Sequence, residues 1–395
     1  MIDFSFVSPT KIIFGRGAEG KLKETLLSFG YKRVLFVYGG GSIKKMGLYD
    51  KVVNQLNNGF EWFEASGVRP NPLIDFVREI TLKAKEFKPD VILAVGGGSV
   101  IDSCKAIAAS YYYDGDPFDF NLHKVSPKKS LPVGVILTFA SAGAELSDSC
   151  VISDDKTGVK AGFNNDWNRP VFAIENPELT YSVPSYQKAA GISDIMMHSL
   201  ERYFGASSSL QLADELALDV VKNTMEAGKR CLENPTDYEA HAALMLDSSL
   251  SHNGLTGIGK KTPFVVHPLE HALSGYKPDV THGAGIALIY PAWANYVFEK
   301  DIHKFAHLTE RLFGKVGANE RETAIIGIRS MRDFFASLGM PTSFEEVGLT
   351  KEDVPNLVSL ATGNGTRVIG LTPQPLEKKD VEAIFVSLLT KEALK

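Results

Sequence analysis

The chain has 395 residues, of which 44% are hydrophobic and 23% are charged, and its formal net charge is −5. This length exceeds what one compact core usually serves, so two domains are predicted. The small negative charge contains no long run of one sign, which argues against nucleic acid or a membrane surface as a partner. No apolar run is long enough to span a bilayer.

The N-terminus and the cysteines bear on where the protein works. The N-terminus lacks the charged and apolar regions of a signal peptide. Cys104, Cys150 and Cys231 form an odd, sparse set, which indicates free thiols in a reducing cytosol rather than a disulfide framework. We therefore expect a cytoplasmic protein.

Residues 1–185 are predicted to form an α/β domain. Helical patterns at 75–87 and 99–110 lie between strand-like runs. Strands that alternate with helices imply a parallel sheet covered by helices on both faces. The predicted strands are 11–14, 34–38, 91–95, 133–137 and 171–174.

Two Gly-Gly-Gly-Ser turns occur in this domain, each directly after an apolar strand and before a helix. Backbone N–H groups in such a turn can approach an anion closely, and the N-terminus of the helix adds a favourable partial charge. A plain tight turn explains the glycines equally well, and neither turn has the Gly-x-Gly-x-x-Gly pattern of a standard Rossmann half. The residues are Gly39, Gly40, Gly41 and Ser42 in the first turn, and Gly96, Gly97, Gly98 and Ser99 in the second.

The first turn also bears on the choice of nicotinamide cofactor. Enzymes that bind NAD often place a carboxylate on the 2′-hydroxyl of the adenosine ribose, and this turn contains none. Ser42 with the nearby Lys44 and Lys45 would suit a 2′-phosphate, so NADP(H) is favoured over NAD(H) if the turn contacts that ribose. The alternative is that both lysines are simply solvated.

Residues 186–395 are predicted to form an all-α domain. Breaks that contain Pro or Gly separate several amphipathic stretches, and no convincing strand pattern is found. The boundary with the α/β domain is placed near 182–185. The predicted helical stretches are 187–204, 209–233, 236–252, 282–299, 301–314, 319–338 and 379–391.

One carboxylate and several imidazoles stand at helical spacing in the second half. Asp194 and His198 lie four residues apart, as do His267 and His271, and His282 follows. A four-residue step puts two side chains on one face of a helix. Such a ligand set suits Fe²⁺ or Zn²⁺ and does not choose between them. A single helical histidine is more often a packed or surface residue, and spacing leaves open whether His271 is a ligand instead of, or beside, His267.

Taken together, these motifs resemble the iron-containing (group III) alcohol dehydrogenase family, and within it the branch of NADPH- or NADH-dependent butanol dehydrogenases and aldehyde reductases. The resemblance covers nearly the whole chain. The segments that carry it are 9–17, 39–45, 96–102, 194–198, 267–271 and 282–283.

The resemblance implies a dehydroquinate synthase-like fold, with an α/β dinucleotide-binding domain at 1–185, a helical metal-binding domain at 186–395, and a homodimer. It implies that the second glycine turn holds the pyrophosphate, that the first meets the adenosine ribose, and that His271 lies near the nicotinamide. The implied metal ligands are Asp194, His198, His267 and His282, and the further cofactor-binding residues are Asp102, Thr138, Lys160 and Leu179.

Two departures from the family pattern stand out. The run after one sheet strand reads Ala142-Gly143-Ala144-Glu145, where the family often has Thr-Gly-Ser-Glu, so two hydroxyls are missing. The spacing from His271 to His282 is one residue longer than the resemblance leads us to expect, and an insertion within 276–280 would absorb it.

The leading expectation is therefore metal-dependent, reversible hydride transfer between NADP(H) and short-chain primary alcohols or aldehydes of the butanol and butanal type, with His271 relaying the proton. Two alternatives stay open. One is a dehydroquinate-synthase-like lyase that recycles its nicotinamide on a highly anionic substrate. The other is a metal-stabilised nucleotide-binding protein without turnover.

Overall fold

The computed structural model describes residues 2–206 and 211–390, which form two compact units. The α/β unit contains Val7–Val183 and Asn234–Asn253, and the helical unit contains the other described residues. The chain passes from the α/β unit to the helical unit after Val183, two residues before the predicted boundary. No described helix combines the length and the apolar character that crossing a membrane requires.

The α/β unit is built on a parallel sheet. The described strands are β1 (Lys11–Phe14), β2 (Arg33–Tyr38), β3 (Glu61–Ala65), β4 (Val91–Gly96), β5 (Val133–Leu137), β6 (Ser149–Asp154), β7 (Val159–Asn164) and β8 (Phe172–Glu175). Six of them form one sheet in the order β1-β8-β5-β4-β2-β3, and every neighbouring pair is parallel. Strands β6 and β7 form a separate antiparallel hairpin.

Helices make up most of the remaining structure. In chain order they are α1 (Leu22–Ser28), α2 (Ser42–Lys45), α3 (Leu48–Leu56), α4 (Ile74–Phe87), α5 (Gly98–Ser110), α6 (Phe118–Asn121), α7 (Ser185–Tyr203), α8 (Gln211–Glu233), α9 (Tyr238–His252), α10 (Val266–Tyr276), α11 (His282–Val297), α12 (Ile302–Phe313), α13 (Glu320–Ser337), α14 (Val354–Thr362) and α15 (Lys378–Ser387).

The predicted parallel sheet with two covered faces is confirmed. Every residue of β4 is buried. Ile92 belongs to a core cluster that includes residues of α4 and α5, whereas Leu93 belongs to a second cluster that includes residues of α1 and α3. Successive side chains of a strand point to opposite faces. A strand buried on both faces therefore needs the continuous apolar run that made β4 predictable from the sequence.

Strands β3, β6 and β7 were not predicted. The edge strand β3 reads Glu-Trp-Phe-Glu-Ala, and the hairpin strands mix polar with apolar residues. Strands at an edge or outside the main sheet bury less surface, so their sequences need no continuous apolar run.

The helical prediction for the second half is confirmed with small shifts at the ends. Predicted positions 209, 210 and 391 lie outside the described residues. Helices α10 and α14 were not among the predicted stretches. After residue 184 the described residues contain only isolated β-bridges, Ala206 with Lys261 and Ile369 with Leu376.

Helix α9 follows residue 185 in the chain but belongs to the α/β unit, which differs from the predicted division at that residue. Its small polar side chains are buried there. Ser248 Oγ accepts hydrogen bonds from the backbone N–H groups of Ser141 and Gly143, at 3.1 and 3.0 Å. An amphipathic pattern predicts that a helix has a buried face, but it does not say which unit covers that face.

Candidate functional site

Helix α7 carries a buried polar stripe. Asp194, His198 and Glu201 follow one another at steps of four and three residues, which places them on one face of the helix. None of them is more than 5% exposed. The helix is buried from Lys188 to Tyr203, so the stripe faces the interior of the helical unit.

Helices α10 and α11 bring further imidazoles to this stripe. His267 lies in the first turn of α10, and His282 is the first residue of α11. A glycine follows His282 for a packing reason: a Cβ at Gly283 would collide with the carbonyl oxygen of Ala190 on α7. The close approach of α11 to α7 therefore sets the position of His282.

The imidazole nitrogens converge on one carboxylate oxygen. His198 Nδ1 and His267 Nε2 each lie 3.5 Å from Asp194 Oδ1, and His282 Nε2 lies 3.7 Å from it. Direct N–H···O hydrogen bonds are shorter, at about 2.7–3.2 Å. Two atoms bound at about 2.1 Å to one tetrahedral metal lie about 3.4 Å apart. The spacing therefore fits ligands of a shared ion better than a set of direct hydrogen bonds.

Three of the four predicted ligands form the tightest group. Asp194, His267 and His282 each offer one ligand atom within 4.8 Å of the others. His198 is not part of that group, although its ring centre lies 4.5 Å from that of His267. The structure thus brings all four predicted ligand residues to one place, with His198 at its side.

His271 lies next to this cluster and is less buried than His267. Its ring centre is 5.6 Å from that of His282 and 6.3 Å from that of His267. Together with Glu270 and His282 it forms a second group of possible ligand atoms within 4.8 Å of one another. Helix α10 therefore directs its two histidines differently, which the sequence spacing left open.

Two buried carboxylates that the sequence analysis missed hold the imidazoles. Glu201 contacts His267 Nδ1, and Glu270 contacts His282 Nδ1, both at very short distance. Glu270 is fully buried. The signal for Glu201 was its step of seven residues from Asp194, which repeats one helix face. Glu270 sits in the His-Pro-Leu-Glu-His motif, but its partner His282 lies on another helix.

Carboxylates and imidazoles shift one another's pKa values in this cluster. Burial raises the pKa of Asp194, but the surrounding His198, His282 and His267 outweigh burial and hold it well below its usual range. Burial lowers the pKa of His267, but the adjacent Glu201 and Asp194 outweigh it and raise this pKa to about 9. The cluster therefore favours positive charge, as a cation site does.

The second glycine turn is shaped by packing as well as by its position before a helix. A Cβ at Gly96 would lie 2.5 Å from Val100 Cγ2, and one at Gly97 would lie 3.2 Å from Phe139 Cβ. Helix α5 begins at Gly98, so the first N–H groups of the helix point toward the turn. Packing explains Gly96 by itself, whereas the helix start gives the turn its capacity to bind an anion.

The first glycine turn is more open. A Cβ at Gly40 or Gly41 would meet no atom within 4 Å, so packing does not require glycine at either position. Lys44 Nζ lies 4.6 Å from the ring centre of Tyr49. The hydroxyl of Tyr49 donates to Glu64 at 2.6 Å. This nearby carboxylate was not predicted from the sequence, because Glu64 comes from the unpredicted strand β3.

The strand order places most of the predicted cofactor-binding residues along one edge of the sheet. The two glycine turns follow β2 and β4, Thr138 follows β5, and Leu179 comes shortly after β8. These four strands are neighbours in the sheet and run parallel. Ligands of open parallel sheets bind at this carboxyl edge. The N–H of Thr138 also donates to the carbonyl of Gly96 at 3.1 Å, which joins two of these segments.

Asp102 and Lys160 have different surroundings. Asp102 Oδ2 accepts a hydrogen bond from the N–H of Val151 at 3.0 Å, so this carboxylate ties α5 to β6. Lys160 lies on the β6–β7 hairpin, which is separate from the main sheet, and it pairs there with Ser153.

Comparison with known proteins matches both halves of the chain to one family. The profile described as iron-containing alcohol dehydrogenase matches residues 9–177, and that of the C-terminal region of the same family matches residues 188–389. NADH-dependent butanol dehydrogenase A of Clostridium acetobutylicum is 39% identical, over 98% of this chain and 99% of its own. NADPH-dependent aldehyde reductase YqhD of Escherichia coli is 31% identical, over 94% and 95%.

Solved structures agree with the sequence match. The crystal structure of NADH-dependent butanol dehydrogenase A from Thermotoga maritima superposes with a TM-score of 0.94, at 36% identity, over 99% of both chains. The YqhD structure from Escherichia coli K-12 gives a TM-score of 0.93 at 30% identity, over 98% of this chain and 99% of its own.

Proposed function

The chain belongs to the iron-containing alcohol dehydrogenase family and is an NAD(P)-dependent alcohol dehydrogenase, and we propose that it transfers hydride reversibly between NADP(H) and short-chain primary alcohols or aldehydes of the butanol and butanal type. The observation that carries this proposal is the convergence of imidazole nitrogens on Asp194 at 3.5–3.7 Å. Curated relatives named as butanol dehydrogenases support the substrate class.

We propose that Asp194, His198, His267 and His282 hold Fe²⁺ or Zn²⁺. One carboxylate oxygen with imidazole nitrogens fits either ion. When bound, the metal supplies a Lewis acid for the alcohol or carbonyl oxygen, and the nicotinamide supplies or accepts the hydride. The buried position of Asp194 and His267 supports the site, because burial keeps water from competing with the substrate oxygen.

We propose that His271 relays the proton that the alcohol loses or the aldehyde gains. An imidazole nitrogen can both accept and donate a proton, which is what such a relay requires. His271 is half-buried and lies beside His282, so a side chain on the same helix as one ligand stands close to the proposed metal.

For the cofactor, we propose that Gly96–Ser99 with the N-terminus of α5 binds the pyrophosphate and that Gly39–Ser42 meets the adenosine ribose. The positions of both turns at the carboxyl ends of adjacent parallel strands support this. Thr138 and Leu179 lie along the same carboxyl edge of the sheet. Asp102 and Lys160 complete the proposed set of cofactor-binding residues.

A preference for NADP(H) rests on the charge of the first turn. Ser42, Lys44 and Lys45 offer a hydroxyl and two cations to a 2′-phosphate. Glu64, which accepts the Tyr49 hydroxyl, brings a negative charge to the same neighbourhood and works against the preference. The named relatives include both NADH- and NADPH-dependent enzymes.

We further propose a homodimer formed along the N-terminal segment. Phe4, Phe6 and Val7 are 52%, 43% and 44% exposed, and β1 is an edge strand of the described sheet, a position at which strands of two chains can pair. Sedimentation at micromolar concentration tests this, and a monomer would contradict it.

The proposed reaction is tested with the full-length chain loaded with Fe²⁺ under anaerobic conditions, or with Zn²⁺. Bound metal is counted, and NADPH absorbance is followed with a series of straight-chain aldehydes. We expect one metal per chain and metal-dependent loss of NADPH with butanal. A metal-loaded protein that binds the nucleotide but oxidises it with none of the aldehydes would contradict the proposal.

A further inference from the structure

We propose that Glu201 and Glu270 are positioning residues of the metal centre, that each fixes one histidine ligand in the tautomer that presents Nε2 to the metal, and that Glu201 also caps helix α10. This inference rests on the proposed metal site and concerns carboxylates that lie outside its ligand set.

Each of the two imidazoles has a carboxylate at Nδ1, and this contact selects its tautomer. A neutral imidazole has one protonated nitrogen and one with a lone pair, and only the latter can bind a metal. A carboxylate accepts a proton but does not donate one when ionised. Glu201 at Nδ1 of His267 and Glu270 at Nδ1 of His282 therefore place the proton on Nδ1. In the metal-bound state each ring is neutral, so its lone pair lies on Nε2, the atom that faces Asp194.

The start of α10 is capped by Glu201. The first N–H groups of a helix have no partner within the helix, and the residue before α10, Val265, has no side chain that can cap it. Glu201 Oε1 accepts from the N–H of Val265 at very short distance and from that of Val266 at 2.6 Å. Its other oxygen, Oε2, contacts His267. One carboxylate thus holds both the helix end and the ligand on that helix.

The side chain of Glu270 fits between α10 and α11 because residue 285 on α11 is a glycine. A Cβ at Gly285 on α11 would lie 2.9 Å from Glu270 Cγ and 3.2 Å from its Oε1. The glycine lets α10 and α11 approach until the Glu270 carboxylate contacts His282. Unlike Glu201, Glu270 lies inside α10 and does not cap a helix end, so its substitution should affect the metal more than the fold.

The helical unit also contains a histidine–glutamate pair that lies outside the proposed metal site and serves as a comparison. His303 Nδ1 contacts Glu320 Oε1 at 2.9 Å, with the side chains 82% and 61% exposed. This pair has the same chemistry as the two buried pairs, and it lies in the same unit. The Glu320→Gln variant is therefore the control for replacing a carboxylate that touches a histidine.

The experiment measures Zn²⁺ affinity of the metal-stripped, full-length chain by competition with a chelator, together with the thermal midpoint of the metal-free protein. We expect Glu270→Gln to weaken Zn²⁺ binding by roughly 10- to 100-fold with little change in the midpoint. Glu201→Gln should weaken binding similarly and also lower the midpoint, because the amide NH₂ would face N–H donors. Glu320→Gln should change neither.

A second measurement separates positioning from a general loss of structure. Selective ¹⁵N labelling of histidine in the Zn²⁺-loaded wild type reports which ring nitrogen carries the proton. We expect protons on Nδ1 of His267 and His282, and a shifted Nδ1–H signal for His282 in Glu270→Gln, where an amide replaces the carboxylate. A wild type in which either histidine lacks the Nδ1 proton would contradict the inference even if a variant fails to fold.

The outcomes distinguish this inference from the proposed function. If the wild type binds no Zn²⁺, the proposed metal site fails. If the wild type binds Zn²⁺ but Glu270→Gln binds it equally well, or if Nδ1 of either histidine is unprotonated, the positioning role is overturned while the metal site stands.

Discussion

The cluster on α7, α10 and α11 and the glycine turns of the α/β unit are built in opposite ways. In the helical unit, carboxylates and imidazoles from three helices converge, so the chemistry depends on side chains that are present. In the α/β unit, the turns at 39–42 and 96–99 offer backbone N–H groups, so the chemistry depends on side chains that are absent. Removing atoms should therefore damage the first region, and adding atoms should damage the second.

Buried carboxyl groups behave differently in the two regions as well. Asp194 is surrounded by imidazoles, which hold its pKa well below the usual range. In the α/β unit, burial and the nearby Glu145 raise the pKa of Glu175 well above its ordinary value, against the opposing hydrogen bond from Ser249. Burial is thus accompanied by a lowered pKa in one carboxyl and a raised pKa in the other, because their neighbours differ in charge.

The most severe loss is expected from removing a ligand side chain. His267→Ala takes away the imidazole between Asp194 and Glu201 and leaves two buried carboxylates facing a cavity. We expect metal content to fall to background and kcat/KM to drop by more than about 100-fold, beyond the loss caused by outer partners alone. Metal analysis and aldehyde reduction measure this. His303→Ala, on the exposed surface, is the control, and a His267→Ala protein with normal metal content would remove His267 from the ligand set.

Adding one carbon to the glycine turns should separate packing from cofactor binding. Gly96→Ala places a Cβ 2.5 Å from Val100 Cγ2, so we expect a loss of stability of about 1–3 kcal/mol in chemical unfolding. Gly40→Ala meets no atom within 4 Å, so stability should be unchanged.

The same Gly40→Ala variant should nevertheless raise KM for NADPH by several-fold, because the added Cβ keeps the nucleotide from the backbone. Steady-state kinetics at saturating aldehyde measure this. An unchanged KM would mean that the first turn does not approach the cofactor.

The lysines after the first turn should affect cofactor choice more than turnover. Replacing Lys44 and Lys45 together by Ala removes the cations proposed for the 2′-phosphate. We expect the ratio of kcat/KM for NADPH to that for NADH to fall about tenfold, which corresponds to roughly 1.4 kcal/mol. Glu64→Gln should shift the ratio the other way. A wild type that prefers NADH would contradict the proposed preference.

The smallest effect should appear in the pH dependence of stability. Because the folded-state pKa of Glu175 is raised, the unfolded chain releases this proton from about pH 4 upward while the folded chain keeps it. The group therefore costs stability increasingly as pH rises toward its folded pKa. Glu175→Gln should match the wild type below about pH 4 and unfold at a higher temperature near pH 7. Thermal melts across pH test this, with exposed Glu24→Gln as control.

Several parts of this structure follow from local pattern. The apolar run of β4 predicts a strand buried on both faces, and the step from Asp194 to His198 predicts a shared helix face. These predictions succeed because backbone geometry has a fixed period, so residue spacing translates directly into direction.

Other parts depend on contacts between segments far apart in the chain. Spacing alone does not distinguish His267 from His271, and the contact of Glu201 on α7 with the start of α10 holds His267 beside Asp194. Glu64 lies near the first glycine turn, but it comes from the edge strand β3, whose polar sequence did not predict a strand.

The residue order thus specifies which side chains share a face and which strands lie in the interior, because those properties arise within one helix or strand. Which histidine meets Asp194, which carboxylate holds each imidazole, and which unit covers α9 arise only when elements pack. Those choices depend on close approaches such as Gly283 against Ala190, where a missing Cβ lets two helices meet. No periodicity along one element encodes the surface it will meet.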